Sequence, residues 1–367
     1  SAHAPEGRSI LRRASRVGRP WYRAIVRVVL ITVGLISTGC FNPEGSGDTE
    51  GGTTGGETSA NAPTTGSASK CSWQRQQTTG SPGPRQEHSM AYDSDNDRVI
   101  LFGGLANDVD LQDLWIFDGK DWTEAGRSGP PPPRRSHAAA YDEARRVMVV
   151  FGGAASVDGQ LTPTGDTYLY DPESDTWELR SPPSSPSPRY AAAMRYYAGD
   201  VVLFGGNVAG LNKTSAEQWS WDGLNWSQSP SPIAPEQKRS RHMIEQDGAG
   251  ALLMYGGCDL GSGCLLLTPA IEFDDTWTWD GATWQPSDGA KQGGHFGAMV
   301  LHRAENTLYR FGDGLAFTRS GAGWSPLEIS DFTTGRYFAA AYHSSGILRF
   351  GGTEGGADTW VLDCTAA

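Results

Sequence analysis

The chain has 367 residues, with 48 glycines, 22 prolines and 13 tryptophans, and its formal net charge is −12. This composition favours a turn-rich β protein over a mainly helical one. Residues 1–39 carry seven arginines and one glutamate, and subtracting this +6 from −12 leaves −18 for residues 40–367. Such an acidic surface repels phosphate backbones, so nucleic acid is excluded as a partner.

The first predicted element is a short apolar segment, residues 28–36, that follows these arginines. A bilayer span needs roughly 20 apolar residues, so the segment is interpreted as the hydrophobic part of a signal peptide covering residues 1–39. It ends in Ser37, Thr38, Gly39 and Cys40, which resembles the lipobox of bacterial lipoproteins. The resemblance implies cleavage before Cys40 and a diacylglycerol on its thiol. Ser37 departs from the usual Leu, Val or Ile, and an ordinary cleaved signal or an uncleaved anchor is the alternative.

Residues 40–70 form the second predicted part, a linker of Gly, Thr, Ser, Glu and Pro with scarcely an aliphatic side chain. Such a segment buries too little apolar surface to offset its ordering entropy, which predicts a disordered stalk. Phe41 follows Cys40, where enterobacterial lipoproteins retained at the inner membrane have Asp. We therefore expect an exported, outer-membrane lipoprotein of the cell envelope.

Residues 71–367 repeat one pattern at intervals of roughly 50 residues, which is typical of a propeller or solenoid. Each copy has an apolar strand ending in a glycine doublet, a strand of alternating aromatic residues ending in an acid, and a strand beginning with Trp. Another strand precedes each doublet, so each copy contains four strands. The doublets end residues 99–104, 147–153, 201–206, 252–257 and 347–352, and a degraded copy spans 308–313.

The glycine doublet, the aromatic pair and the later Trp together resemble the kelch repeat. This resemblance covers residues 71–367 and implies an all-β, six-bladed β-propeller, which we expect to be a monomer. A propeller must close, because an open ring leaves two unpaired edges. The last copy stops at Cys364 without its Trp strand, whereas the domain begins with Cys71, Ser72 and Trp73. The N-terminal strand of the domain is therefore predicted to complete the last blade.

Closure of this kind brings Cys71 and Cys364 near enough for a disulfide. Cys258 and Cys264 lie six residues apart in one loop and most simply bond to each other. Four cysteines allow three pairings. Only the pairing of Cys71 with Cys364 and of Cys258 with Cys264 also accounts for the hairpin that the last copy lacks. An oxidising compartment is implied.

Arginines begin the predicted innermost strand in five copies and would ring one mouth of the central channel. Kelch propellers commonly receive partners at this face, and a cationic ring suits an acidic ligand or an acidic peptide. The alternative is that these arginines pair with nearby Asp or Glu between blades. The predicted ligand-binding residues are Arg85, Arg134, Arg189, Arg239 and Arg336.

Other candidate residues have simpler interpretations. His88, His137 and His242 recur in register without an acidic cluster of ligand spacing, so no metal site is predicted. The tryptophans of the third strands are expected to pack between blades rather than to stack on sugars. Asp93, Asp95 and Asp97 lack the later Glu and Gly of a calcium loop and are interpreted as a solvated turn.

No catalytic motif is present. Galactose-oxidase-like kelch enzymes hold copper with Tyr, His and a Tyr crosslinked to Cys, but all five cysteines here have other predicted roles, so no cofactor is expected. The first hypothesis is a non-catalytic, lipid-anchored propeller that binds a protein or an acidic ligand. The second is a carbohydrate-active or sugar-binding protein resembling the sialic-acid mutarotases. Acid and Arg side chains around a deep channel would favour the carbohydrate-active protein. A plugged channel with large exposed loops would favour the non-catalytic binding module.

Overall fold

Strands alternate with turns throughout the computed structural model, which describes residues 70–209, 213–230, 238–259, 271–288, 296–321, 323–330, 335–353 and 356–364. The predicted signal peptide, Cys40, the linker up to residue 69 and Cys264 lie outside these residues. Within them there is no helix that is long and apolar enough to cross a membrane.

Each of the first three copies of the repeat folds into one four-stranded antiparallel sheet, or blade. The described chain opens with β1 (Lys70–Gln76), which belongs to the last blade. Blade 1 contains β2 (Ser89–Asp93), β3 (Arg98–Ala106), β4 (Val109–Phe117) and β5 (Trp122–Ala125). Blade 2 contains β6 (Ala138–Asp142), β7 (Val147–Phe151), a hairpin of β8 (Ala154–Val157) and β9 (Gln160–Pro163), then β10 (Thr167–Asp171) and β11 (Thr176–Arg180). Blade 3 contains β13 (Ala193–Tyr197), β14 (Asp200–Phe204), β16 (Gln218–Trp221) and β17 (Trp226–Gln228), and the short strands β12 (Arg189–Tyr190) and β15 (Asn207–Val208) pair beside it.

The last three copies repeat this arrangement. Blade 4 contains β18 (Met243–Gln246), β19 (Leu252–Tyr255), β22 (Thr276–Trp279) and β23 (Trp284–Asp288), with β20 (Cys258–Asp259) paired to β21 (Ile271–Glu272). Blade 5 contains β24 (Ala298–His302), β25 (Thr307–Gly312), β26 (Leu315–Arg319) and β27 (Trp324–Pro326). Blade 6 contains β29 (Ala339–His343), β30 (Gly346–Phe350), β31 (Thr359–Asp363) and β1, and β28 (Glu328–Ser330) adds a fifth strand.

The first strand of every blade lies innermost, around the central channel. These strands contact one another in the cyclic order β2, β6, β13, β18, β24, β29 and back to β2. The ring is therefore closed. The degraded copy at residues 308–313 supplies β25 and its turn, so the fifth copy also forms a complete blade.

The N-terminal strand completes the last blade, as the sequence predicts. β1 pairs antiparallel with β31, from Ser72 opposite Asp363 to Gln76 opposite Thr359. On its other side, β1 pairs in parallel with β28, which covers the edge. Cys71 and Cys364 form a disulfide with their Cα atoms 4.2 Å apart, across a sequence separation of 293 residues.

The apolar core lies between blades rather than at the centre of the molecule. Six buried clusters each join two adjacent blades, so each blade is stabilised by both neighbours. The second strands are buried on both faces, which explains their unbroken apolar sequences. Tryptophans of the third strands belong to these clusters, in agreement with the predicted packing role.

The outer tryptophans add a hydrogen bond between blades. The indole N–H of Trp122 donates to the hydroxyl of Thr359 in the preceding blade at 2.8 Å, and Trp284 donates to Gln218 at 2.7 Å. Trp226 and Trp324 form the same bond with Thr167 and Thr276. A buried N–H without an acceptor costs free energy, so these pairs help to set the register of adjacent blades.

Opening the disulfide should destabilise the whole ring. We expect the Cys71→Ser, Cys364→Ser double variant to lose up to about 5 kcal/mol in the free energy of unfolding, because the bond closes a very long loop. Urea unfolding followed by tryptophan fluorescence measures this loss. Cys364→Ser alone also opens the bond, so its free energy of unfolding should fall as much as that of the double variant. An unchanged urea midpoint in both would contradict closure through this bond.

Candidate functional site

The two ends of the central channel differ in their loops. The inner strands begin at one end, which we call face A, and finish at the other, which we call face B. Face A carries the connections between second and third strands, including the β8–β9 hairpin and the β12–β15 and β20–β21 pairs. Face B carries tight hairpins, such as residues 94–97 and 344–345. Long, variable loops make face A the candidate binding face.

Four of the five predicted ligand-binding arginines are buried within their own blades. The guanidinium of Arg239, fully buried, donates to both carboxylate oxygens of Asp275 at 2.8 and 3.1 Å and to the carbonyl of Gly256 at 2.9 Å. The Arg–carboxylate pairs are Arg85 with Asp113, Arg134 with Asp166, Arg189 with Glu217, Arg239 with Asp275 and Arg336 with Asp313.

These pairs change the interpretation of the arginines. In four of the pairs the acid belongs to the same blade as its arginine. In the fifth, Asp313 of blade 5 pairs with Arg336 of blade 6, so this pair alone lies between blades, as the alternative interpretation placed them. Burial removes water from the guanidinium, and the carboxylate at the start of the third strand satisfies its donors. Only Arg336 keeps a half-exposed side chain, at 40%. The predicted ring of five mouth-lining cations is therefore not what the structure shows.

The mouth on face A is lined instead by one residue from each blade. Four of them follow Arg85, Arg134, Arg189 and Arg239 by two positions, the fifth directly follows Arg336, and the sixth is their counterpart in blade 5. All six have left-handed φ angles, between 51° and 60°. They are Glu87, Ser136, Ala191, Arg241, Phe296 and Tyr337. A non-glycine residue in this region costs on the order of 1 kcal/mol, so the surrounding structure must stabilise it.

Hydrogen bonds between blades stabilise this mouth. The amide of Ser136 donates to the carbonyl of Glu87 at 2.8 Å, and Ala191 donates to Ser136 at 2.7 Å. Arg241 donates to Ala191 at 2.9 Å, and Glu87 donates to Tyr337 at 3.1 Å. Because the backbone makes these bonds, the six side chains are not needed for them and differ between blades.

The six side chains enclose a cavity of about 140 Å³ with an asymmetric charge distribution. Arg241 is half-buried, and no carboxylate of the described residues pairs with its guanidinium, which lies 4.9 Å from the Tyr337 ring and 5.7 Å from the Phe296 ring. Glu87, three blades away, accepts a hydrogen bond from the Ser136 hydroxyl. The mouth therefore places a cation that no described carboxylate pairs with beside two aromatic rings and opposite the acid of Glu87.

The channel is plugged at face B by charged side chains. Arg303 of blade 5 pairs with Glu143 of blade 2 at 2.5 Å, and these two blades lie opposite each other in the ring. Below this pair, Arg195 and Glu245 of adjacent blades approach to 2.7 Å beside a cavity of about 110 Å³. Burial raises the pKa of Glu245, and the charge of Arg195 opposes that rise.

The recurrent histidines have a packing role between blades. The ring of His88 packs edge-on against Phe350 of the preceding blade, 5.9 Å between centroids. A Cβ on Gly351 would lie 2.7 Å from Cε1 of His88 and 2.4 Å from the carbonyl oxygen of Arg85, which explains why a glycine with φ of 68° is required there. Burial, with a smaller contribution from Arg85, lowers the pKa of His88 to about 3.

In the described part of the chain, no three His, Cys, Asp or Glu side chains group as metal ligands.

The acids of residues 93–97 belong to a hairpin on face B. Asp93 is fully buried, accepts the amides of Asp95 and Asn96 and pairs with Arg98 at 2.8 Å. Asp97 accepts hydrogen bonds from Tyr92 and Ser344. These contacts use the carboxylates to hold turns together.

Comparison with known proteins agrees with this architecture. A family model described as the KLHDC2/KLHL20/DRC7 kelch-repeats domain matches residues 119–313, more than half of the chain. The chain belongs to the kelch-repeat family. The solved structure of YjhT is similar, with a TM-score of 0.60 and 16% identity, and the match covers 78% of this chain and 95% of that one. At this identity, the likeness concerns the fold alone. None of the curated proteins matches this kelch protein.

The Arg–carboxylate pairs should make the stability of the propeller depend on pH. Burial alone would raise the pKa of Asp275, but hydrogen bonds and the charge of Arg239 outweigh it and lower the pKa. The stabilisation is therefore present above the pKa of an unfolded Asp, about 3.9, and is lost as the pH falls through the folded value. We expect Asp275→Asn to cost about 3 kcal/mol at pH 7, because it leaves a buried guanidinium without its carboxylate.

Urea unfolding of wild type and Asp275→Asn at pH 7 and at acid pH tests this expectation. The difference between the two proteins should shrink in acid, where the wild-type carboxyl is also protonated. Asp158→Asn, in the exposed β8–β9 turn, is the matched control and should follow wild type at both values. A difference that stays constant with pH would refute the charge-based role.

Proposed function

We propose that this kelch propeller is a non-catalytic binding module of the cell envelope. In this proposal a lipid on Cys40 holds it to the membrane, and the mouth on face A binds another protein or an acidic ligand. The observation that carries the proposal is Arg241, a half-buried guanidinium at the mouth to which no described carboxylate is paired.

The surroundings of Arg241 favour a carboxylate ligand. Its guanidinium lies close to the Tyr337 and Phe296 rings, which remove part of its water and hold it by cation–π contacts. A carboxylate can accept two parallel hydrogen bonds from such a group, and this interaction strengthens where water is scarce. The four buried arginines are not available for such a carboxylate, because each already pairs with an acid of its own blade. They are Arg85, Arg134, Arg189 and Arg239.

Two other observations support binding rather than catalysis. The plug of Arg303 and Glu143 leaves the mouth on face A as the approach to the channel. The connections on face A carry additional paired strands, β8–β9, β12–β15 and β20–β21, beside this mouth. The membrane part of the proposal rests on residues 28–40, where an apolar segment precedes the lipobox-like sequence ending in Cys40.

A pull-down with a reversed mouth charge tests the binding role. Full-length baits with Arg241→Glu should lose the envelope proteins that wild type recovers after detergent extraction, because the substitution repels an acidic group. Lys120→Glu makes the same charge change at an exposed turn on face B and should recover them as wild type does. If the Arg241→Glu bait recovers the same proteins, the mouth is not the binding site.

A carbohydrate-active or sugar-binding role of the sialic-acid mutarotase type is the second candidate. It is favoured by one observation: Glu87 and Arg241 place an acid and a guanidinium at the same mouth. In that case the protein should speed the exchange between the anomers of an acidic sugar, measured by exchange NMR, and Glu87→Gln should abolish the effect. An exchange rate equal to that of buffer would exclude this activity and leave the binding module.

A further inference from the structure

A second cavity lies inside the channel, below the Arg303 and Glu143 pair. Its volume is about 110 Å³, and residues of all six inner strands line it. Blades 3 and 4 contribute the third residues of their inner strands, Arg195 and Glu245. In the other four blades the residue at this position is small or apolar: Ala91, Ala140, Val300 and Ala341. We call this cavity the inner chamber.

Arg195 has N–H donors that no described residue accepts. Its Nε lies 2.7 Å from a carboxylate oxygen of Glu245 but is not aligned with it, so this N–H lacks a hydrogen-bond acceptor. No other acceptor among the described residues contacts its guanidinium. A guanidinium has five N–H donors, and the Arg195 side chain is only 24% exposed. Buried polar groups normally have partners, so a ligand or ordered water is expected beside it.

The lining of the inner chamber has more positive than negative charge. Burial raises the pKa of Glu245, and the charges of Arg195 and Arg303 oppose that rise, so both guanidiniums act on this carboxylate. Arg303 lines the chamber, whereas its partner Glu143 does not. The lining therefore contains two guanidiniums and one carboxylate, and such an excess of positive charge attracts anions.

We propose that the inner chamber binds a small carboxylate or a related planar oxyanion, held by Arg195. The planar guanidinium matches two oxygens of one such anion with two parallel N–H donors. The volume limits the ligand: a cavity of about 150 Å³ holds benzene, so the chamber accepts an anion of about four heavy atoms. This site is separate from the mouth, and it does not depend on the function proposed for Arg241.

The Arg303 and Glu143 pair gives a small anion a route into the chamber. The two side chains are 33% and 35% exposed. Ion pairs between partly exposed side chains are weak, so thermal motion separates them. The pair therefore covers the chamber without sealing it.

Methyl NMR of the full-length protein during titration with sodium formate tests the proposal. With alanine methyl groups labelled, the signals of Ala91, Ala140 and Ala341 should shift and saturate, and Ala191 reports separately on the mouth. Arg195→Gln should weaken binding about tenfold or more, because it removes a charged donor. Arg195→Lys keeps a charge beside Glu245 without the planar donors, so it should also weaken binding. It replaces Arg195→Gln if melting curves show that variant to be unfolded.

Three controls accompany the titration. Arg180→Gln is the matched variant, since Arg180 pairs with Glu178 at 2.9 Å on the outer strand of blade 2. It should bind formate as wild type does. Arg241→Glu separates the two sites, because it should alter only the response of Ala191. Sodium chloride at equal concentration controls for ionic strength.

The outcomes distinguish the inner chamber from the mouth. Saturable shifts of the three chamber alanines that the Arg195 variants reduce and Arg180→Gln does not would support the site. Equal shifts with chloride would overturn the oxyanion ligand. A shift of Ala191 alone would overturn the chamber site while the proposed acidic ligand of the mouth stands. Unchanged signals of the three alanines would mean that the chamber holds water only, which also overturns the proposal.

Discussion

Pairing of β1 with β31 is the contact on which the rest of the propeller depends. The apolar clusters, the Trp122 bond to Thr359 and the bond from the Gly352 amide to the carbonyl of Arg85 act between neighbouring blades. Each requires a complete blade on both sides. Without β1, blade 6 would present an unpaired edge and lose Trp73 from the cluster that it shares with blade 5. The disulfide between Cys71 and Cys364 holds this one non-local pairing covalently.

The repeat separates residues that build the ring from residues that are free to vary. Arginine recurs because its side chain ties the entry of the inner strand to the third strand, as Arg134 does with Asp166. The residue two positions later makes the hydrogen bonds that join blades around the mouth through its backbone amide and carbonyl, as Ser136 and Ala191 do. A position that the fold needs only for its backbone can accept a charge, a small side chain or an aromatic ring. The side chains that differ between blades at that position are therefore the best candidates for ligand-binding residues.

Much of the fold could be predicted from the sequence, because its signals are local or repeated. The doublets and their aromatic strands indicated six blades, and the orphan Trp73 indicated where the ring closes. The site was harder to predict. The acid that pairs with Arg85 is Asp113, which lies on another strand, and nothing in the sequence around Arg85 marks the contact. The mouth position of Arg241 follows from a left-handed backbone that no residue type signals, since alanine and phenylalanine adopt it in other blades.

The charges inside the channel explain why one face is favoured for binding. The third residue of the inner strand is alanine or valine in four blades, but Arg195 and Glu245 stand there in blades 3 and 4. A buried ion pair seldom stabilises a fold more than apolar side chains of similar volume, so stability alone does not account for it. Its effect is to place charge below the Arg303 and Glu143 pair and to narrow the channel near face B. A ligand then approaches from face A, where Arg241 lies at the mouth and pairs with no carboxylate among the described residues.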